Sequence, residues 1–323
     1  MMLPDGRVTA VPSMLRAMSD IVADSQPDVV VTSSPPPSIH LVGLWLKKFL
    51  GIPWVADFRD IWSPQSETKH ATNLHRKLQE RLKRSYVRLA DATVVVSQGH
   101  FDLLTEQSCI LGPRLRLIPN GFEETCFGGE PRRSASDTPF RIGYCGTLNH
   151  LTYVPSLFEQ LVSLSRERRL TVEVAGHVSE TVRSDLQRID PREAVVRLLG
   201  YMEHSEAVRF IQRCDANLIT LAPAMHLDHT IPGKAYELLR AESPVIAAVP
   251  PNGSAWQLLS RFADVLLIDP TDISDSGEKL ENLISRDRGK TTKRIGIDQY
   301  SWENLARRYD SVLREVACCR KSL

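Results

Sequence analysis

Short apolar runs that read as β-strands alternate with helical patterns along almost the whole chain, and this alternation limits the fold more than any single motif. Strands are expected at 28–32, 53–58, 92–97 and 115–119, with helices at 38–50, 73–89 and 99–107 between them. A hydrophilic break at 123–139, containing Gly-Gly-Glu-Pro-Arg-Arg-Ser-Ala-Ser-Asp, reads as a linker. The alternation then restarts, with strands at 141–145, 170–175, 195–199, 216–221, 244–248 and 265–268. Helices are expected at 154–167, 205–213, 274–285 and 302–318. Strands separated by helices run parallel and are covered on both faces. Two such runs across a linker predict an α/β chain of two doubly wound, Rossmann-like domains. In such sheets ligands bind beyond the carboxyl ends of the strands. Gly146-Thr147, Gly176, Gly200-Tyr201 and 230–234 all fall at those ends.

The segment His229-Thr-Ile-Pro-Gly-Lys-Ala-Tyr-Glu237 carries the clearest chemistry. Thr230 to Gly233 read as a turn, with Pro232 as the first residue of a helix reaching about Ala241. A helix N-terminus offers free backbone N–H groups and the positive end of the macrodipole. Gly233 lets a ligand approach the backbone, Lys234 adds a full positive charge, and Glu237 lies one turn on. An anion binder beside a carboxylate that accepts from hydroxyls suits a sugar nucleotide. Read alone, the segment serves equally well as an amphipathic helix capped by Thr230 with exposed charges.

Composition removes several other classes. The 40 basic and 39 acidic residues leave a net charge of +1, so no nucleic-acid footprint shows. The six cysteines include no CxxC and no metal-ligand spacing, which fits a reducing cytoplasm. No apolar run reaches membrane-spanning length, and the start of the chain has no signal-peptide core. Nucleophile elbow, HExxH and Walker patterns are absent, and Asp57 with Asp60 is too little to make a metal site. No metal and no cofactor are therefore expected. In helix 73–89, Leu74, Leu78, Leu82, Tyr86 and Leu89 follow helical spacing among Arg76, Lys77, Arg81, Lys83, Arg84 and Arg88, with only Glu80 acidic. This pattern fits contact with an anionic membrane surface, or a core helix with a solvated basic face.

Several landmarks together resemble the family 4 (group 1) glycosyltransferases of the GT-B fold, in their bacterial polysaccharide-biosynthesis branch. They are Asp28-Val-Val-Val-Thr-Ser-Ser-Pro-Pro-Pro37, the DFRDxW-like Trp54-Val-Ala-Asp-Phe-Arg-Asp-Ile-Trp62, Val94-Val-Val-Ser97, Ile118-Pro-Asn-Gly-Phe-Glu123 and the block 232–247. The resemblance implies retaining, metal-independent transfer from a nucleoside diphosphate sugar, the co-substrate, to a cell-envelope or exopolysaccharide acceptor. That acceptor would be a polysaccharide or lipid-linked, handled in the cytoplasm or peripherally at the inner face of the membrane. Glu237 would hold the ribose, and Gly233-Lys234 would cradle the diphosphate facing Gly146-Thr147. Tyr201 and Met202 would flank the base.

Three positions depart from the family pattern. His229, beside Thr230, stands where many relatives carry a glutamate that contacts the donor sugar. The loop after Gly146 offers only His150 where many relatives have Arg or Lys. Arg59 occupies the position of a histidine near the reaction centre, so Arg59 and Asp60 become the candidates for orienting the acceptor or binding phosphate; a structural ion pair is the other reading.

The implied domains are an acceptor-side domain at 1–124, a linker at 125–139, a donor domain at 140–290 and a C-terminal segment at 291–323 crossing back to the first domain. The chain starts partway into the family pattern. The GT-B fold is thus expected with its first domain incomplete, about half a Rossmann sheet with an open apolar edge beside strand 28–32. A misassigned start codon or a degraded or split gene would account for that. Two rival functions follow: a non-catalytic remnant that still binds nucleotide, and a GT-B sugar-nucleotide epimerase. The epimerase would need acid–base carboxylates and histidines that the sequence does not single out.

Overall fold

The structure, a computed structural model, describes residues 2–60, 62, 72–108, 114–128, 138–224, 227–285 and 293–320. The chain divides into two compact units, Met1–Asn120 with Glu303–Leu323, and Gly121–Trp302. Positions 129–137 of the expected linker, Cys109, and Ile61 of the DFRDxW-like segment lie outside the described residues.

The first unit opens with a 3-10 turn, Gly6–Ala10, that runs into α1 (Val11–Ser25). There follow β1 (Val30–Ser34), α2 (Ile39–Leu50), β2 (Trp54–Phe58), α3 (Asn73–Leu89), β3 (Ala92–Val95), α4 (Gln98–Ser108) and β4 (Leu115–Leu117). The strands lie in chain order, every pair parallel. Parallel pairing forces each connection to cross over the sheet, so helices bury both faces. On one face Trp54, Ala56 and Phe58 pack with Tyr86, Val87 and Leu104. At the β1 end Val30 is buried with Val11, Val42 and Leu46, and Val8, Leu15, Met18 and Val22 close over them.

This corrects the expectation of an incomplete first domain. The stretch before residue 28, for which the sequence suggested no element, is helical from Gly6 to Ser25. Leu15, Met18 and Val22 recur at helical spacing, so one side of α1 is apolar and covers the outer end of the sheet. The first domain is a Rossmann-like unit with a core on both faces, not half a sheet with an open apolar edge.

The second unit contains β5 (Phe140–Cys145), α5 (Pro155–Leu164), β6 (Leu170–Ala175), α6 (Glu180–Ile189), β7 (Val196–Gly200), α7 (His204–Arg213) and β8 (Ala216–Thr220). It continues through α8 (Lys234–Arg240), β9 (Val245–Ala248), α9 (Ser254–Leu259), β10 (Val265–Ile268) and α10 (Ser276–Ile284). Its six strands are parallel in the order β10-β9-β8-β5-β6-β7. The chain starts in the middle, works outward through β6 and β7, then returns to the other side of β5. That reversal makes a switch point between β5 and β8, where a crevice opens beyond the strand ends. Neither α6 nor α9 was anticipated. Helix α6 is polar overall, with only Val182 and Leu186 buried, and α9 has six residues, so neither stands out as an apolar run.

The last helix, α11 (Trp302–Arg320), lays Leu305, Val312 and Val316 on Val55, Ala92 and Val94 of the first sheet. Ion pairing of Arg116 with Glu315 at 2.8 Å, and donation from Arg308 Nη2 to the Leu117 carbonyl at 2.6 Å, hold it in register.

Helix α8 is fixed from its C-terminal end. Ala235, Tyr236, Leu238 and Leu239 are buried, and the Tyr236 and Tyr300 rings lie 5.0 Å apart. The Arg294 side chain is 1% exposed. Its guanidinium donates to the carbonyls of Leu238 (3.1 Å), Leu239 and Ser243 (2.7 Å), and pairs with Asp264 at 2.6 Å. Carbonyls left over at a helix end thus find a cation that also suits the dipole. Arg294→Ala leaves Asp264 and these carbonyls buried without their donor. The expected loss is about 3–5 kcal/mol, read as a shift in the urea midpoint. Removing the exposed Arg314–Asp310 pair is expected to cost no more than about 1 kcal/mol.

Candidate functional site

The strand-end loops of the second unit are stitched side by side. Strand β5 ends at Gly146, whose N–H donates to the Ala175 carbonyl at 2.8 Å, and Gly176 N–H donates to Gly200 at 2.7 Å. Gly146 has φ 125° and Gly176 φ 131°, in the left-handed half of the map that favours glycine. A Cβ on Gly176 would sit 2.2 Å from the Gly146 carbonyl oxygen, so no side chain fits there. The following loop is locked by its own polar groups. Tyr144 Oη and Thr152 Oγ1 both donate to the Thr147 carbonyl at 2.8 Å, and Leu151 N–H donates to Asn149 Oδ1 at 2.9 Å. Across the switch point, Ala222 N–H donates to the Leu151 carbonyl at 2.8 Å, and the Thr220 hydroxyl donates to that of Thr152.

Helix α8 begins at Lys234 with Gly233 as its N-cap, so Pro232 lies outside the helix. Thr230 does not cap it; no side chain does, and Thr230 N–H donates to Leu227 at 3.0 Å. The Lys234 stem passes Gly146, and Nζ lies 3.5 Å from the Tyr144 ring centroid, a close cation–π contact. Burial of this ammonium pulls its pKa down to about 7, with the Cys145 charge acting weakly against it.

Glu237 is partly buried, and burial raises its carboxyl pKa against the opposing pull of His204. His204 Nε2 lies 3.6 Å from Glu237 Oε1. Because His204 opens α7, this contact brings the loop after β7 to α8. The Cys145 thiol is raised by burial, then lowered by Lys234 and raised by Glu237. Cys145, Lys234, Glu237 and His204 therefore form one electrostatic cluster.

The remaining candidates surround it less tightly. Tyr201 is 80% exposed, whereas Met202 packs against the apolar cluster that holds Ala235 and Tyr236. Thr147 and His150 are exposed, and His229 and Thr230 are partly buried in the loop after β8. That loop is tied to α9 by Ser254 N–H donating to Asp228 at 2.6 Å. Sequence reasoning missed Tyr144, Cys145, His204 and Arg294. The first two look like ordinary strand residues, and the others act on α8 from distant positions in the chain.

In the first unit Arg59 pairs with Asp57 at 3.0 Å. Its Nη1 also reaches the carbonyls of Ile118 and Pro119 and Asn120 Oδ1, each at 3.4 Å. Asp57 accepts from Ser33 Oγ at 2.9 Å; burial raises its carboxyl pKa, while Arg59 and Ser33 lower it. Asp60 is exposed on the turn that follows. Among the described residues no group of three or more His, Cys, Asp or Glu could hold a metal ion, and no helix is long and apolar enough to cross a membrane.

Residues 2–121 match the family model described as a glycosyl transferase 4-like domain. No curated protein matches the chain in sequence. Among solved structures, sucrose-phosphate synthase from Thermosynechococcus elongatus is 14% identical, over 99% of this chain and 81% of that one, with a TM-score of 0.73. A glycosyltransferase from Rickettsia africae is 13% identical over 98% and 83%, with a TM-score of 0.70. Anabaena HepE, in complex with UDP and glucose, is 16% identical over 100% and 84%, with a TM-score of 0.66. The chain has the GT-B fold, two Rossmann-like domains with parallel sheets, and its first domain is related to the family-4-type glycosyl transferases.

Proposed function

We propose that the protein transfers a sugar from a nucleoside diphosphate sugar to a cell-envelope or exopolysaccharide acceptor, with retention. One observation carries this reading. The Lys234 ammonium is held over Tyr144 beside Gly146 at the β5–β8 switch point, with Glu237 a turn further along. An arriving diphosphate would restore the full charge of a lysine that burial has left half protonated near neutrality. As the bond from sugar to diphosphate breaks, negative charge grows on the departing phosphate oxygens. Lys234 and the backbone amides of Thr147 and Gly233 would stabilise that charge in place, beside the loop Gly146-Thr147.

Glu237 would accept from the ribose hydroxyls, while Tyr201 and Met202 would flank the base. His229 and Thr230 would face the donor sugar. On the acceptor side, Arg59 fixes the turn after β2 by bonding Asp57, the carbonyls of Ile118 and Pro119, and Asn120 Oδ1. Together with Arg59, Asp60 would orient the acceptor hydroxyl. UDP is the first nucleotide to try, because HepE was solved with it.

Calorimetry with UDP, GDP and ADP tests the donor site: at least one is expected to bind, and if none does the assignment of Gly233, Lys234 and Glu237 fails. Binding without transfer or sugar hydrolysis would favour a nucleotide-binding remnant over an enzyme. Glu237→Ala is expected to weaken nucleotide binding by about 1–3 kcal/mol, roughly 5- to 150-fold, for the loss of two hydroxyl contacts, with the melting temperature unchanged. Wild-type affinity in that variant would contradict the ribose role.

Protonation of Lys234 sets a pH dependence. Nucleotide affinity is expected to fall as pH rises above 7, by up to about tenfold per pH unit. In Lys234→Met the same titration is expected to be flat. For the unliganded protein the sign is the reverse. The folded pKa of about 7 lies below the ordinary lysine value of 10.5, so the unfolded chain binds more protons between them and stability rises with pH across that window.

A further inference from the structure

We propose that α3 seats the protein on the surface of an anionic lipid bilayer. The helix turns Gln79, Lys83, Tyr86 and Val87 inward. Its outer side carries Leu74, Leu78 and Leu89, which are 64%, 42% and 48% exposed. Helical spacing places these three in one strip. Beside it runs a band of exposed cations, Lys77, Arg81, Arg84 and Arg88, lining one hollow along the helix with Ser85 and a single acid, Glu80. None of the four has an ion-pair partner among the described residues. The whole chain carries a net charge of only +1, so this density of cations on one helix is a local feature. Phe49, at the end of α2, is 62% exposed. The Lys47–Asp91 ion pair, 2.6 Å, brings that end of α2 to the end of α3.

Exposed leucines beside unpaired arginines are the two components that bind a helix in the headgroup region, apolar burial and attraction to anionic lipid. A nucleic acid would satisfy the arginines and leave the leucines in water, so charge and apolar surface together select lipid. Since no helix of the described residues crosses a membrane, this contact would be peripheral. The inference does not rest on the donor site, and it is tested without nucleotide.

Flotation with vesicles of phosphatidylethanolamine and about 30% phosphatidylglycerol is the direct test, with phosphatidylcholine vesicles as the neutral comparison. At ~0.1 M salt the protein is expected to partition at least about tenfold better into the anionic vesicles, and to be released at ~0.5 M. The double variant Arg81→Glu/Arg84→Glu is expected to lose flotation at least about tenfold. Leu74→Ser/Leu78→Ser is expected to lose it at least about threefold. All four residues are exposed, so melting temperatures should be unchanged. Should the charge reversal lower the melting temperature, Lys77→Gln/Arg88→Gln replaces it. Equal partition into both vesicle types, or flotation of either variant at the wild-type level, overturns the proposal. So does retention on heparin that the leucine variant keeps, with no flotation of the wild-type protein.

Discussion

The second sheet depends on a single close approach, the backbone of Gly146 against that of Gly176. There is no room for a side chain between them, since a Cβ would fall 2.2 Å from an oxygen. This contact lets the loops after β5, β6 and β7 lie flat against one another and trade backbone hydrogen bonds. With those loops pinned to one side, the reversal of strand order leaves the end of β5 facing α8 across the switch point. Two glycines thus set where a lysine on a later helix can reach.

That lysine occupies an environment that does not favour its charge. Tyr144 gives its ring face, while its hydroxyl is spent on the Thr147 carbonyl. Glu237, a turn along, is engaged by His204 at 3.6 Å and also disfavoured as an ion by burial. The polar groups of the loop after β5 are paired among themselves, whereas burial works against the charges of Lys234 and Glu237 beside it. The helix carrying them is seven residues long and has no side-chain N-cap, and it keeps its place because Arg294 holds its far end.

Much of this was legible in the sequence, and the failures have physical causes. Central strands such as β2, β3 and β9 are buried at every residue, and such short buried runs need little context to be read. The turn before α8 was legible from Pro232, Gly233 and Lys234, although the helix begins two residues after the proline. Helix α1 carries no marked apolar run: Val11 alone is buried, and Leu15, Met18 and Val22 pack while partly exposed. Without α1 over its outer end, the first sheet reads as unfinished. Arg294 and Asp264 lie 30 positions apart with nothing local to mark either. The stack of Lys234 on Tyr144 joins residues that only the sheet order brings together.

Burial, which draws the Lys234 pKa down to about 7, would also make this lysine respond unequally to anions of different charge. An ammonium that burial keeps close to losing its proton presents little net charge to the surrounding solution. A monovalent ion such as chloride returns too little Coulombic energy to bring the proton back and hold it. A multiply charged ion does both at once, since each additional negative charge deepens the well for the proton as well as for itself. A site of this kind would discriminate by valence before any hydrogen bond is counted, favouring a polyanion over simple salts.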